Sequence, residues 1–258
     1  MIASLGMYDF APALQAANDR LWIGIRDGLR RAGIAAPDAL TRGTAAYWDT
    51  WQSPGLVFSQ TCGYPFRARL WQQVTLIGTP DYDLPDCPPG HYASVYIARE
   101  GDPRHTLAQF YGAAFAYNEA LSQSGWAAPQ NHAATGGLHH RAALETGGHL
   151  ASAMAVAQGR ADYAAIDSLT WALLQRHDPR VTALKEIART SPPTPVLPFI
   201  AAKAADGDLY FGVLQAAIVS LAPDDRSTLM LRGIVRIPVD AYLAVPNPPA
   251  PNLATTGP

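Results

Sequence analysis

Short apolar segments that run into polar turns recur along this sequence, and their alternation with helical patterns limits the fold more than any other feature. Residues 56–59 run into Gln60-Thr61-Cys62-Gly63, and residues 113–117 run into a turn that ends at Gly125. A helical pattern follows each turn. Alternating strands and helices are typical of parallel α/β units, whose ligands bind beyond the carboxyl ends of the strands. We therefore predict an α/β fold with polar turns at its ligand-binding edge.

Polar side chains follow successive predicted strands in the second half of the chain. Ser122, Gln123 and Ser124 follow the first, His149 follows the second, and Asp167 follows the third. Hydroxyls, a side-chain amide and the N–H groups of a first helical turn can donate hydrogen bonds to an anion. This pattern predicts a site for an anion or a polar ligand. A simpler interpretation stays open, in which the serines and Asp167 cap helices and His149 begins a helix or lies in the core.

The first half offers a second group of polar and aromatic side chains at predicted strand ends. Tyr8 follows the apolar amino-terminal segment, and Gln60, Thr61 and Tyr64 follow the segment 56–59. Together with Tyr82, these side chains could form another wall of a binding site. The alternative is that the tyrosines are packing residues.

Charge and hydropathy exclude several classes of partner. The 258 residues carry 19 basic and 21 acidic side chains, and the net charge is -2. No broad basic field is therefore available to attract nucleic acid. No apolar run reaches the roughly 18 residues that a membrane-spanning helix needs, and the amino terminus reads as a strand rather than a signal peptide. The hydrophobic content of 48% supports one or two compact domains.

The cysteines and histidines do not form a recognisable metal motif. Cys62 and Cys87 are the only cysteines, and neither CxxC nor HExxH occurs, so no cofactor is expected. A disulfide between the two would close a loop of about 25 residues and contribute roughly 3 kcal/mol; the alternative is two buried thiols. A metal site at His132, His139 and His140 is a further hypothesis, but adjacent histidines point in different directions, which favours a solvated loop.

Several segments, in order along the chain, resemble the substrate-binding components of phosphate, phosphite and phosphonate ABC transporters. They are Ser4-Leu5-Gly6-Met7-Tyr8, 56–63, 117–126 with Ser122-Gln123-Ser124-Gly125 at its centre, 148–152 continuing to 159–162, 165–168 and 195–199. The resemblance implies a two-lobed, type II periplasmic binding protein-like fold with a ligand cleft between the lobes. It also implies a discontinuous first lobe.

Breaks in the chain place the expected lobe boundaries. Gly101-Asp102-Pro103 and the proline connector at 192–195 predict a first lobe of residues 1–98 plus 194–258 and a second lobe of residues 99–193. The tail 246–258 is rich in Pro, Asn and Thr, and we predict that it is disordered.

The resemblance also assigns ligand contacts. In the family, the loop that matches 122–125 holds phosphonyl oxygens, and the histidine that matches His149 assists. Gln123 departs from the usual Ser-Thr-Ser pattern, which leaves the identity of the ligand open. Protonation of His149 near about pH 6.5 would tighten anion binding as the pH is lowered toward 6. The full expected ligand-binding set is Tyr8, Gln60, Thr61, Tyr64, Ser122, Gln123, Ser124, His149 and Asp167.

The predicted function is capture of a small oxyanion-bearing solute of the phosphate, phosphite or phosphonate class for an ABC transporter. The protein would be a monomer with a permease partner, periplasmic if a leader was removed and otherwise cytoplasmic. One alternative is a serine hydrolase that uses Ser122, His149 and Asp167, although no GxSxG motif is present. A cytoplasmic ligand sensor or a biosynthetic protein on the same fold is another.

Overall fold

The computed structural model describes residues 1–252 and divides the chain into two compact units. Unit 1 contains Met1–His91 and Pro195–Ala244, and unit 2 contains Tyr92–Thr194 and the described residues 245–252 that follow Ala244. The chain crosses between the units at the short strands His91–Tyr92 and Thr194–Pro195, which pair with each other.

Unit 1 is built on a mixed five-stranded sheet. The spatial order of its strands is Ile2–Ser4, Leu56–Gln60, Phe199–Ala202, Val74–Asp81 and Gly233–Val235. Only the first pair is parallel; the strands that return from the second half of the chain run antiparallel to their neighbours. The strand Leu56–Gln60 is buried along its whole length, which places its end, and the polar turn after it, inside the unit.

The helices of unit 1 cover this sheet. The longest, Pro12–Arg31, buries Leu14, Leu21, Ile25 and Leu29, the positions that recur at helical spacing in the sequence. Its other helical segments are Gly6–Tyr8, Gly43–Ala46, Trp48–Trp51, Gly63–Pro65, the π turn Phe66–Leu70, Gly207–Ser220, Pro223–Leu229 and Val239–Leu243.

Unit 2 contains a second mixed five-stranded sheet. Its spatial order is Ala142–Glu145, Phe115–Tyr117, Tyr163–Asp167, Ser94–Arg99 and Leu184–Arg189. The first three run parallel to one another, and Ser94–Arg99 runs antiparallel to both of its neighbours. The carboxyl ends of the three parallel strands therefore meet at one edge, as predicted for an α/β fold.

A helical segment follows each of those parallel strands. The strand Phe115–Tyr117 leads to the π turn Gln123–Ala127, which continues into the helix Ala128–Ala134. The strands Ala142–Glu145 and Tyr163–Asp167 lead to the helices His149–Ala157 and Ser168–His177. The remaining segments of this unit are the 3₁₀ turns Leu107–Phe110 and Pro179–Ala183.

The unit boundaries differ from the predicted lobes in two places. The strand Ser94–Arg99 was expected in the first lobe, but it pairs with Tyr163–Asp167 and Leu184–Arg189 and so belongs to unit 2. The tail was expected in the first lobe and disordered. Instead, residues 245–252 lie on unit 2, where Asn131 and Trp126 donate side-chain hydrogen bonds to the carbonyls of Pro246 and Pro249. The rest of the predicted tail, 253–258, lies outside the described residues.

Over residues 1–252, no helix combines the length and the apolar character that a membrane crossing requires.

Candidate ligand-binding site

The turn that begins at Ser122 forms the N-terminal end of a helix at one edge of the sheet in unit 2. The Ser122 hydroxyl oxygen accepts a hydrogen bond from the Gly125 N–H at 2.9 Å, and Ser122 is the N-cap of the turn. The Ala127 N–H then donates to the Ser122 carbonyl, five residues back, at 2.9 Å. This is the first backbone hydrogen bond of the helix. The N–H groups of the preceding residues in the first turn therefore have no backbone partner within the helix and point out of its N-terminal end. Such π turns often mark functional sites.

The Asn118 side chain closely approaches Gly125 in this turn. A Cβ atom at position 125 would lie 1.8 Å from Asn118 Oδ1 and 2.8 Å from Asn118 Cγ. Asn118 Oδ1 is buried and has no hydrogen-bond partner within residues 1–252. The shape of the turn therefore depends on the absence of a side chain at this position.

Ser124 and His149 come together from two different strand ends. Ser124 is buried, and its Oγ lies 2.8 Å from His149 Nε2. His149 is the first residue of its helix, and its Nδ1 is buried without a hydrogen-bond partner in the described part of the chain. Desolvation lowers the pKa of His149 to about 4, so the imidazole is neutral at pH 7. The expectation that His149 titrates near pH 6.5 is therefore wrong for the unliganded protein, because burial penalises the charged ring.

The turn that carries His149 is fastened to the neighbouring strand. Thr146 Oγ1 lies 2.6 Å from Ser152 Oγ and 3.1 Å from the Tyr117 carbonyl oxygen. The Gly147 N–H donates to the Asn118 carbonyl at 2.8 Å. These bonds fix the His149 ring beside Ser124. Sequence reasoning missed Thr146 and Asn118, although Asn118 stands directly after an apolar strand, which is a usable signal.

The two remaining candidates of this unit have local roles. Gln123 is buried, and its amide nitrogen lies 3.3 Å from Thr194 Oγ1. Asp167 Oδ1 accepts a hydrogen bond from the Thr170 N–H at 2.8 Å, so Asp167 caps the helix Ser168–His177. The capping interpretation of Asp167 thus describes what its carboxylate does in this structure.

The geometry does not form the hydrolase triad considered from the sequence. His149 contacts Ser124 rather than Ser122, whose hydroxyl is engaged by the Gly125 N–H. His149 Nδ1 has no partner in the part of the chain that the structure describes, so Asp167 does not orient the ring. A nucleophile, a base and an orienting carboxylate must be in mutual contact for this chemistry.

Further buried hydroxyls lie at the same edge of the sheet. Ser94 faces Asp167 in the antiparallel register, and Ser168 follows Asp167 directly. The hydroxyls of Ser94 and Ser168 are buried and have no hydrogen-bond partner among the described residues. Buried polar atoms without partners are rare in native proteins and cost about 1–3 kcal/mol each. Together with His149 Nδ1 and Asn118 Oδ1, they make four buried polar atoms at this edge of the sheet without a partner in residues 1–252.

In unit 1, Gln60 links two of the candidate aromatic residues. Its amide nitrogen donates to Tyr82 Oη and to the Leu197 carbonyl, both at 3.1 Å. The Tyr82 ring meets the Tyr8 ring edge to face at 5.7 Å between centroids. Tyr8, Gln60 and Tyr82 are all buried, so they form one packed cluster.

The turn after the same strand holds the other candidates of unit 1. The Thr61 N–H donates to the Pro198 carbonyl at 3.1 Å, and Thr61 is fully buried. The guanidinium of Arg67 lies over the Tyr64 ring at 4.4 Å from its centroid. Arg67 is itself buried, with 5% exposure, which places a positive charge within this unit beside the turn. Sequence reasoning missed Arg67, because nothing in a helical pattern distinguishes a buried arginine from an exposed one.

The cysteines and the histidine-rich segment do not form the sites considered for them. Cys62 is buried and Cys87 is half-buried, and both are thiols rather than halves of a disulfide. Within residues 1–252, no group of three or more His, Cys, Asp or Glu side chains could hold a metal ion. His140 was expected in a solvated loop. Instead it is buried with 2% exposure, and its ring nitrogens lie 2.8 Å from Tyr163 Oη and 3.1 Å from Tyr96 Oη.

Comparison with known proteins identifies the class of this protein. The model of the phosphonate ABC transporter periplasmic substrate-binding protein family matches residues 68–241, which is more than half of the chain. No curated protein matches the sequence. The chain belongs to this family of substrate-binding proteins, which serves transport rather than catalysis.

Solved structures have the same fold. A Xanthomonas citri protein bound to ATP has 16% identity and a TM-score of 0.69, with 95% of each chain covered. PhnD1 from Prochlorococcus marinus, in complex with methylphosphonate, has 17% identity and a TM-score of 0.69, with 93% of this chain and 94% of that chain covered. A binding protein component of a Pseudomonas aeruginosa ABC phosphonate transporter has 14% identity and a TM-score of 0.66, with 90% and 80% covered. The predicted family and the predicted type II periplasmic binding protein fold are confirmed.

Proposed function

We propose that the turn 122–127 and His149 bind the oxygens of a small phosphonate, phosphite or phosphate that is delivered to an ABC transporter. The observation that carries this proposal is the contact between Ser124, which is buried, and His149, which is half-buried and whose buried Nδ1 is left without a partner in residues 1–252. Family membership supports the solute class. The methylphosphonate complex of the Prochlorococcus protein favours a phosphonate among the three.

A neutral His149 can serve an oxyanion as a donor. If its proton resides on Nδ1, then Nε2 accepts a hydrogen bond from the Ser124 hydroxyl at 2.8 Å, and the Nδ1–H is a buried donor that a ligand oxygen can satisfy. The open N–H groups of the first turn add donors aligned with the helix dipole. A bound anion also favours the protonated ring, because an opposite charge raises the pKa of a histidine. We therefore expect ligand binding to take up a fraction of a proton near pH 6.

We assign the unit 1 candidates a supporting role in ligand recognition. Tyr8, Gln60, Thr61 and Tyr64 follow strand ends, and Arg67 places a positive charge beside Tyr64. Thr61→Val and Tyr64→Phe remove hydroxyls with little change of shape, so a ligand contact through either hydroxyl predicts a lower affinity in that variant.

Membership of the family supports a partner and a compartment. We propose that the protein works in the periplasm with an ABC transporter permease, because its family is one of periplasmic substrate-binding proteins of ABC transporters. The monomeric state stays a prediction, which light scattering after size-exclusion chromatography tests.

Calorimetry with phosphate, phosphite, methylphosphonate and an amino acid as control tests the assigned site. We expect at least one oxyanion to bind and the amino acid not to bind. Ser124→Ala and His149→Ala should each weaken binding by about tenfold or more, because each leaves a ligand oxygen or a buried partner unsatisfied, at about 1–3 kcal/mol.

A matched control is Ser220→Ala, which changes a serine at the end of a helix in unit 1 whose hydroxyl contacts only its own helix among the bonds described. Its affinity should equal that of the wild type. If no oxyanion binds, or if binding is the same in Ser124→Ala and His149→Ala, then the assigned site is wrong even though the family and the fold are established.

A further inference from the structure

The segment 245–252, here called the strap, lies along a helical stretch. That stretch begins with the turn 122–127, here called the anion-binding turn. Asn131 Nδ2 donates to the Pro246 carbonyl at 2.9 Å, and Trp126 Nε1 donates to the Pro249 carbonyl at 3.0 Å. The later strap residue meets the earlier helical residue, so the two run antiparallel. From Trp126 to Asn131 a helix rises about 7.5 Å, and from Pro246 to Pro249 a polyproline segment extends about 9 Å. The two lengths are similar, so an extended strap can place both carbonyls within reach of the two donors.

Trp126 connects the strap to the turn. Its side chain is 4% exposed, and its ring packs against Tyr117 at 5.1 Å between centroids. Tyr117 ends the strand that precedes Asn118, and Trp126 follows Gly125 directly. The indole ring thus lies between the strand end and the turn, and the strap provides the acceptor for its N–H.

The composition of the strap favours this docking. Pro246, Pro248, Pro249 and Pro251 restrict the backbone to extended conformations before it contacts the helix. A segment that is already extended loses less conformational entropy on docking than a flexible one. Two hydrogen bonds can then hold the strap in place. The same prolines made this tail resemble a disordered linker in the sequence.

We propose that the strap is a positioning element for the anion-binding turn. It fixes Trp126, and through Trp126 it holds Ser124 and Gly125 in the arrangement that brings Ser124 to His149. Trp126 is a positioning residue, because it acts through the turn. The ligand part of this inference rests on the proposed function, whereas the mechanical part does not.

Hydrogen exchange of the full-length protein without ligand tests the mechanical part. The informative amides are Gly125, which donates to the Ser122 hydroxyl, and Ala127, which donates to the Ser122 carbonyl. Trp126→Phe removes the indole N–H and keeps an aromatic ring. Pro248→Gly combined with Pro249→Gly keeps both strap carbonyls and makes the strap flexible. We expect both variants to exchange these two amides about five- to tenfold faster than the wild type.

Trp71→Phe is the matched control, since Trp71 is a partly exposed tryptophan of unit 1, and it should leave the same amides unchanged. Unchanged exchange at Gly125 and Ala127 in both strap variants overturns the proposal. Calorimetry with methylphosphonate should show an affinity about three- to tenfold lower in both variants, and an unchanged affinity overturns the positioning role. If the wild type binds no oxyanion, the proposed function fails, and the exchange rates alone decide whether the strap holds the turn.

Discussion

The Gly125→Ala variant is expected to lose about 2–3 kcal/mol of stability and at least about tenfold in oxyanion affinity. A Cβ at this position would lie 1.8 Å from Asn118 Oδ1, well inside contact distance, and would make a tight contact of 3.2 Å with Ser122 Oγ. Either Asn118 or the turn must move. Any movement of the turn displaces Ser124 from His149. Urea unfolding followed by circular dichroism measures the stability, and calorimetry with methylphosphonate measures the affinity.

Substitution of Asn118 tests whether a steric clash with this residue causes the loss of stability in Gly125→Ala. Asn118→Ala removes the clashing atoms, and Asn118 Oδ1 has no hydrogen-bond partner to lose in residues 1–252. The double variant Asn118→Ala/Gly125→Ala should therefore recover at least about 1 kcal/mol relative to the sum of the single variants. Gly212→Ala serves as the control, because a Cβ at this helical position meets nothing within 4 Å and alanine favours a helix. If Gly125→Ala behaves like Gly212→Ala, the shape argument for the turn is wrong.

The second large effect is a loss of stability between pH 7 and pH 5 from two histidines: His140, which is buried, and His149, which is half-buried with a buried Nδ1. Burial lowers the pKa of His149 to about 4, and it lowers the pKa of His140 to about 3, with His132 and His139 adding to the shift. The unfolded chain binds these protons near pH 6.5, whereas the folded chain does not. Stability therefore rises with pH in this window and is lost as the pH falls below 6.5.

The difference in proton binding between the folded and the unfolded chain also sets the size of the stability loss. Each histidine contributes up to about 2 kcal/mol of lost stability at pH 5, and the two together up to about 4 kcal/mol. Glu119 acts in the opposite direction, because burial and the nearby Glu145 raise its pKa, so it takes up a proton more readily in the folded protein. Variants of the histidines separate these contributions.

Urea unfolding at pH 7, 6 and 5 measures the effect. His149→Gln should be less sensitive to acid than the wild type by up to about 2 kcal/mol over this range. His177→Gln is the control, since His177 is exposed at the end of its helix, and it should follow the wild-type curve. Equal acid sensitivity in His149→Gln and the wild type would mean that His149 is solvated in the folded protein.

The sequence predicted where the parallel strands of unit 2 end, but it did not predict which side chains contact each other at those ends. Apolar segments followed by polar turns placed Ser124 and His149 at the ends of neighbouring strands, and the structure joins the two side chains. The role of Gly125 was not predictable, because it depends on the side-chain position of Asn118, seven residues earlier in a loop. The buried state of His140 was also missed, since its aromatic partners Tyr96 and Tyr163 are distant in sequence.

Long-range pairing explains the incorrect boundaries as well. The strand Ser94–Arg99 lies just after a proline-rich loop of unit 1, so proximity along the chain suggested the first lobe. Its hydrogen bonds to Tyr163–Asp167 and Leu184–Arg189 decide otherwise, and no local pattern contains that information. The tail shows the same difficulty, because its composition resembles a linker while Trp126 and Asn131 provide specific donors for its carbonyls.

The strap also offers a place to build an optical sensor. Ala250 is exposed and follows directly after Pro249, the acceptor for the Trp126 indole. An environment-sensitive dye on Ala250→Cys would sit one residue from that contact and would report changes around the turn as a change in emission. Selective labelling requires Cys87→Ser, because Cys87 is half-buried, whereas the buried Cys62 is shielded from a maleimide.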